Sequence, residues 1–270
     1  MSAAALASAW RAQLNLQFRN DGKKTVLAER RAEGPLVVQK PLYPEGEEVC
    51  HAIVVHPPGG IAGGDDLSLV LKAETDSHAL LTTPGASKWY RSAGPWARQK
   101  LSFEVAGTLE WLPRETIVFD GALAELECEV RLGSAARYIG WEIVCLGRTG
   151  SGERFSRGTL RVQTRIVGNE KLLWMERGEI GGGSALLRSP VGLGGKTVFG
   201  SLIAAAPRFE ASLVTQCRKI AATTVLPGLL IARYLGDSTE EAFERFGALW
   251  SLLRPALTGR PAAAPRIWRT

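Results

Sequence analysis

The chain has 270 residues, of which 45% are hydrophobic and 22% charged, with a formal net charge of +6; this balance excludes a disordered or collagen-like chain and is that of an ordinary globular protein. Four scattered cysteines, Cys50, Cys128, Cys145 and Cys217, with no C-x-x-C pair exclude a disulfide scaffold, a zinc ribbon and a thioredoxin-type motif, and point to a reducing, cytoplasmic setting. The longest apolar stretches, such as 225–232, fall far short of the roughly 20 residues that span a bilayer, and MSAAALASAW lacks the basic start and apolar core of an export signal, so no membrane association is expected.

In chain order, apolar residues alternate with polar ones at Leu14, Leu16 and Phe18, then at Leu67, Leu69 and Leu71, then at Leu101, Phe103 and Val105. The alternation returns at Leu126, Cys128, Val130 and Leu132, and at Leu160, Val162 and Ile166. Period two sends every second side chain to one face, so each segment reads as a half-buried strand. Turn-forming clusters separate the strands: Gly34-Pro35, Pro44-Glu45-Gly46, Pro57-Pro58-Gly59-Gly60, Pro84-Gly85 and Gly181-Gly182-Gly183. The first 235 residues are therefore expected to be all β. From Ser238 the pattern changes, because Phe243, Phe246, Trp250 and Leu253 recur at spacings of three and four, the stripe of an amphipathic helix. Ser238 and Glu241 form a capping box, and Pro255 is expected to stop the helix, which is predicted over 238–253. The segment TGRPAAAPRIWRT is proline-rich and extended, either mobile or docked on a partner. The organisation predicted is one β-rich domain over 1–257, with the late helix, and a tail over 258–270.

Charge is unevenly spread. Residues 1–135 hold 14 Lys and Arg against 17 Asp and Glu, and residues 136–270 hold 19 against 10. The acidic half is the expected carrier of any cation route. The arginines of the basic half are dispersed singly, with no basic run interleaved with aromatics, which argues against nucleic acid and for an acidic protein partner.

The sequence contains few local chemical motifs. Gly195-Lys196-Thr197 resembles the end of a P-loop, but the glycine required five residues earlier is Pro190, and the β-branched residues that follow do not start a helix. There is no G-x-S-x-G elbow, and neither H-x-x-x-H nor H-E-x-x-H occurs, so any cation would meet isolated His, Cys or carboxylate groups brought together by the fold. Three segments are more specific than generic β-protein. The run from His56 to Asp65, HPPGGIAGGD, stiffens an entry with prolines and then reverses on glycines. TTPGASKWYR (82–91) concentrates hydroxyls, cations and aromatics, and EWLPRETIVFDGA (110–122) sets carboxylates on either side of an apolar run.

These three segments, followed in order by Gly140-Trp141-Glu142, Leu146-Gly147-Arg148, Gly152-Glu153-x-Phe155, Ala232-Arg233-Tyr234-Leu235-Gly236 and the terminal Arg-Pro-x-x-x-x-Pro-Arg-x-Trp, resemble the urease accessory protein UreD family, called UreH in some organisms. The resemblance runs over nearly the whole chain. It implies a non-catalytic assembly factor that binds apo-urease and, with the accessory protein UreF and the GTPase UreG, brings nickel to the urease active site. It also implies a mainly β fold, an irregular β-helix or stacked sheets with a small helical element. No cofactor is expected to bind tightly, nickel being an ion in transit.

With that resemblance, the expected lining of an internal nickel passage is Asp65, Glu115, Asp120, Glu142, Glu153 and Glu176, with His56, Thr83, Ser87 and Tyr90 as neutral polar groups. A carboxylate inside a β-core is costly unless paired, hydrated or coordinating, and hydrated channel groups escape that cost. Trp250 and Trp268 are the candidate partner-binding residues, the alternative being that the helix caps the β-core. Two other functions remain open: a β-solenoid enzyme acting on polysaccharide, with Asp65 and Glu115 as paired carboxylates, and a β-rich binding module with no metal role.

Overall fold

In the computed structural model, which describes residues 9–269, the alternating segments become seventeen strands: β1 (Arg11–Asn20), β2 (Thr25–Glu33), β3 (Val37–Val38), β4 (Cys50–Val55), β5 (Asp66–Ala73), β6 (His78–Thr82), β7 (Ser87–Trp89), β8 (Ala97–Val105), β9 (Thr108–Trp111), β10 (Thr116–Val118), β11 (Leu123–Leu132), β12 (Arg137–Leu146), β13 (Thr159–Gly168), β14 (Lys171–Gly181), β15 (Val198–Ala205), β16 (Ala222–Leu226) and β17 (Leu229–Gly236). Three helices accompany them: α1 (Ala185–Arg188), α2 (Ala211–Ile220) and α3 (Thr239–Thr258).

The strands form two facing sheets. The first has the order β14-β13-β11-β8-β5-β1-β2 and the second β16-β17-β15-β12-β9-β6-β4-β3. From β5 onward the chain alternates between them, β5 to β6, β8 to β9, β11 to β12, and each return lies parallel to the previous coil. The short strand β10 pairs in parallel with β12 and with β7, which gives the middle coils a third side. This is the irregular, β-helix-like stack of sheets expected from the sequence.

Parallel pairing without slippage aligns the alternating residues into rows. Leu16, Leu71, Phe103, Val130 and Ile166 are register partners across five strands of the first sheet, and all are buried. Burial of each such side chain contributes roughly 2 kcal/mol, so one row carries on the order of 10 kcal/mol before chain entropy is counted. A one-residue slip would turn the whole row to solvent, which is why the pattern fixes the register. The neighbouring row reads Leu14, Leu69, Leu101, Cys128, Thr164, Glu176: it changes from apolar to polar as it approaches β14.

The helices correct two expectations. Residues before 235 are not all β, because α1 and α2 interrupt them; α2 buries only Val214 and Cys217 and has no side-chain N-cap, so it leaves little helical pattern to read. Pro255 does not end α3, which continues to Thr258. Both Pro255 and Ser251, whose carbonyl loses its usual donor, face solvent, so little is forfeited. The extra turn buries Leu257, and Gly259 (φ 71°) closes it by donating its N–H to the Pro255 carbonyl at 2.9 Å. The start is as expected, with Ser238 Oγ accepting the Glu241 N–H at 3.1 Å.

Helix α3 covers the outer face of the second sheet with Ala242, Phe246, Leu249, Trp250 and Leu253. A buried chain of hydrogen-bonded polar and charged side chains fastens it. Glu110 of β9 accepts from His78 (2.6 Å), from Trp250 Nε1 (2.5 Å) and from Arg254 Nε (3.0 Å); Arg254 also donates to Glu45 at 2.6 and 2.8 Å, and Glu45 meets His51 at 2.6 Å. The segment after α3 folds onto the same helix. Trp268 packs on Trp141, Phe243 and Trp250, with centroids 5.0–5.8 Å apart, and donates to Thr82 Oγ1 at 2.9 Å.

Candidate functional site

The polar row of the first sheet faces a cavity of about 400 Å³ between the sheets. Leu69, Leu101, Cys128, Thr164 and Glu176 line one wall, and Tyr138, Glu142 and Ser201 line the other. Three loops that carry the sequence's specific segments complete it, with His56 and Gly60 from the first, Thr83 and Lys88 from the second and Arg114 from the third. The Tyr90 ring packs directly on Gly60, where a Cβ would stand 2.1 Å from it and displace the ring.

The cavity is chemically polarised. Glu142 on β12 is in register with Ser201 on β15, which is in register with Arg233 on β17, so all three project from one face. Glu176 reaches across from β14 in the opposite sheet, accepting from Arg233 Nη1 at 2.6 Å and from Ser201 Oγ at 3.3 Å. No group among the described residues donates a hydrogen bond to Glu142. Burial, and then the nearby Glu176 carboxylate, push its pKa up to about 7. Burial likewise pushes the Cys128 thiol up, with Glu142 and Glu129 adding to it. His56 Nε2 also lacks a partner, and burial lowers the pKa of its ring against the opposing pull of Asp65. The acidic end therefore holds one unpaired carboxyl, one carboxylate paired across the sheets, and neutral oxygen and sulfur atoms. Such a set lacks the clustered ligands that cage a divalent cation. Among the described residues no group of three or more His, Cys, Asp and Glu is placed to hold a metal ion.

Of the sequence-derived passage residues, Glu142, Glu176, His56, Thr83 and Ser87 stand on the cavity wall. The other carboxylates stand elsewhere, each already paired. Asp65 is 3% exposed and accepts the backbone N–H groups of Trp10 (2.8 Å) and Ala62 (2.7 Å), stapling its glycine loop. Asp120 accepts from Ser156 N and Oγ and from Arg157; burial raises its pKa, but these partners outweigh it and hold the carboxyl well below the usual range. Glu153 accepts the Asp120 N–H at 2.8 Å and two Arg148 bonds at 2.7 and 2.9 Å, and Glu115 pairs with Arg114 at 3.5 Å. Tyr90 is 40% exposed, edge-on to Phe119. Trp250 is buried in the core and offers no surface to a partner, whereas Trp268 is half-buried. Glu142 and Glu176 both belong to the basic half, because inward-facing positions, not regional charge, set the cavity wall.

A family model described as "UreD urease accessory protein" matches residues 11–269. The chain belongs to the UreD family. It is similar to the urease accessory protein UreD of Dechloromonas aromatica, 51% identical over 273 residues that cover 97% of this chain and 95% of that protein. It is likewise similar to the UreD of Azoarcus sp., 51% identical over 97% of this chain and 94% of the relative, and to that of Pseudomonas aeruginosa, 48% identical over 97% and 96%. Its role is that of a urease accessory protein.

In this UreD chain, sequence reasoning missed Cys128, Tyr138, Ser201 and Arg233 at the acidic end. Cys128 was visible as a member of an alternating strand, and Arg233 as part of Ala232-Arg233-Tyr234-Leu235-Gly236. Which of these face Glu142 or Glu176 depends on pairing between strands far apart in the chain, and no local spacing encodes that. No helix among the described residues is long and apolar enough to cross a membrane.

Proposed function

We propose that this UreD-family chain is a non-catalytic assembly factor that binds apo-urease and, with UreF and the GTPase UreG, delivers nickel to the urease active site, the ion passing through the cavity between the sheets. The observation that supports the reading is that Glu142 and Glu176 face one cavity from opposite sheets, one carboxyl unpaired and one paired across the gap. A passage must bind its ion well enough to admit it and weakly enough to release it, and a few dispersed oxygen ligands achieve that where a closed ligand set would trap the ion. Nickel is cargo in this reading, not a resident cofactor, and the incomplete P-loop accords with nucleotide hydrolysis by a separate protein. The working compartment is the cytoplasm, and neither nucleic acid nor membrane is a partner.

The polysaccharide reading loses its support at Asp65, whose two oxygens are both occupied by backbone N–H groups in a buried loop. Capture of apo-urease and of the GTPase by the purified chain, in the presence of the UreF-like protein, tests the assembly role. A heteromeric complex is expected, and failure to retain either component would refute the reading.

A further inference from the structure

The passage reading assigns nothing to Arg233, yet this residue holds the carboxylate at the acidic end. It donates to Glu176 Oε1 at 2.6 Å across the gap between the sheets, with side-chain exposures of 46% for Arg233 and 33% for Glu176, so the pair stands where the cavity meets solvent. Ser201 Oγ lies 3.4 Å from the same guanidinium nitrogen, and the guanidinium sits 5.7 Å from the Trp174 ring centroid. Two features make this contact exchangeable. A half-exposed ion pair contributes little net stability, so breaking it costs little. Ser201 and the Trp174 face also give the guanidinium somewhere to remain when the carboxylate is taken from it.

We propose that Arg233 is a displaceable internal counter-cation, occupying Glu176 in the resting chain and yielding it to a divalent cation that enters the acidic end. The inference rests on the passage reading above and adds to it the residue that keeps cation binding weak. An incoming cation finds the Glu142 carboxyl free of protein donors and must compete with a tethered guanidinium for Glu176. Because the competitor stays tethered, it returns when the ion leaves, so release needs no other trigger.

The test is calorimetric titration of nickel ion alone into the untagged full chain, for wild type and for Arg233→Gln, Arg233→Lys, Arg233→Gln/Glu176→Gln and Glu142→Gln/Glu176→Gln, with thermal melts on each. Arg233→Gln should bind nickel roughly fivefold more tightly or better, the gain that follows from freeing a carboxylate from a half-exposed ion pair. Arg233→Lys should stay near wild type, and the gain should vanish when Glu176→Gln is added. An arginine with only a structural role would lower the melting temperature and weaken binding, not tighten it. If Arg233→Gln binds no tighter while Glu142→Gln/Glu176→Gln loses binding, the counter-cation role is wrong and the passage reading stands. If Glu142→Gln/Glu176→Gln binds nickel as wild type does, the acidic end is not a cation site and both fall.

Discussion

Glu142 is a residue the fold tolerates rather than needs. Its folded pKa of about 7 lies above the ordinary 4.5, so the folded chain holds this proton more tightly than the unfolded chain does. Its contribution is fully favourable below about pH 4.5 and is lost as pH rises toward 7, a change of up to about 3 kcal/mol. Glu142→Gln should therefore raise the melting temperature by several degrees at pH 8 and leave it unchanged near pH 4, measured by calorimetry across that range. A carboxylate kept for stability would show the reverse. The sequence names Glu142 and Glu176 along with four other carboxylates and does not separate them, but the structure does so by a simple rule. Glu142 and Glu176 sit on strands at inward positions, whereas Asp65, Glu115, Asp120 and Glu153 sit in loops, where backbone N–H groups or arginines occupy them. Polar residues in a loop are close to free N–H groups, and those on a strand are not, because the ladder has used them.

At the scale of the element, α3 was legible from its stripe and its Ser238 cap, and its anchor was not. Arg254 finds Glu110 and Glu45 at separations of 144 and 209 residues, so nothing local marks it as a fully buried cation. Removing one partner of such a pair strands the other charge, and Arg254→Met should destabilise the isolated chain by about 3–5 kcal/mol in urea unfolding. Trp250→Ala should cost a similar ~3–5 kcal/mol through the cavity it leaves and the lost bond to Glu110, an effect on folding and not on a docking surface. The acid limb follows from Glu45. Burial raises its pKa, but His51 and Arg254 outweigh that and bring it down to about 2. Its stabilisation is present above pH 4.5 and is lost as pH falls toward 2, so Glu45→Gln should flatten the acid side of the stability profile. This slope is opposite in sign to that of Glu142.

Over the whole molecule, period-two alternation makes the strands legible, but not the rows they form. Successive strands of the first sheet begin at Asp66, Ala97, Leu123 and Thr159, spaced unevenly because the connecting coils differ in length, so no fixed repeat announces the β-helix. The rows also shape the cavity, since the same register that stacks Leu16, Leu71 and Phe103 in the core puts Cys128, Thr164 and Glu176 on the cavity wall. Residues 136–270 hold 19 Lys and Arg against 10 Asp and Glu, the excess from which we propose an acidic partner for this molecule. Its association should weaken as ionic strength rises from about 0.05 to about 0.5 M, where the Debye length shrinks from more than ~10 Å to ~4 Å. Affinity measured by titration that stays constant over that range would remove charge from the recognition.

We propose that nickel travels between the two sheets past Glu142 and Glu176. The most direct measurement is the nickel content of urease matured in a reconstituted system with the Glu142→Gln/Glu176→Gln chain, alongside capture of the full accessory complex. An intact complex is expected, with nickel loading reduced by about tenfold, equivalent to ~1.4 kcal/mol of lost cation stabilisation, and with each single substitution less severe than the pair. Normal loading by the double variant, or a loss accounted for entirely by failed assembly, would contradict it.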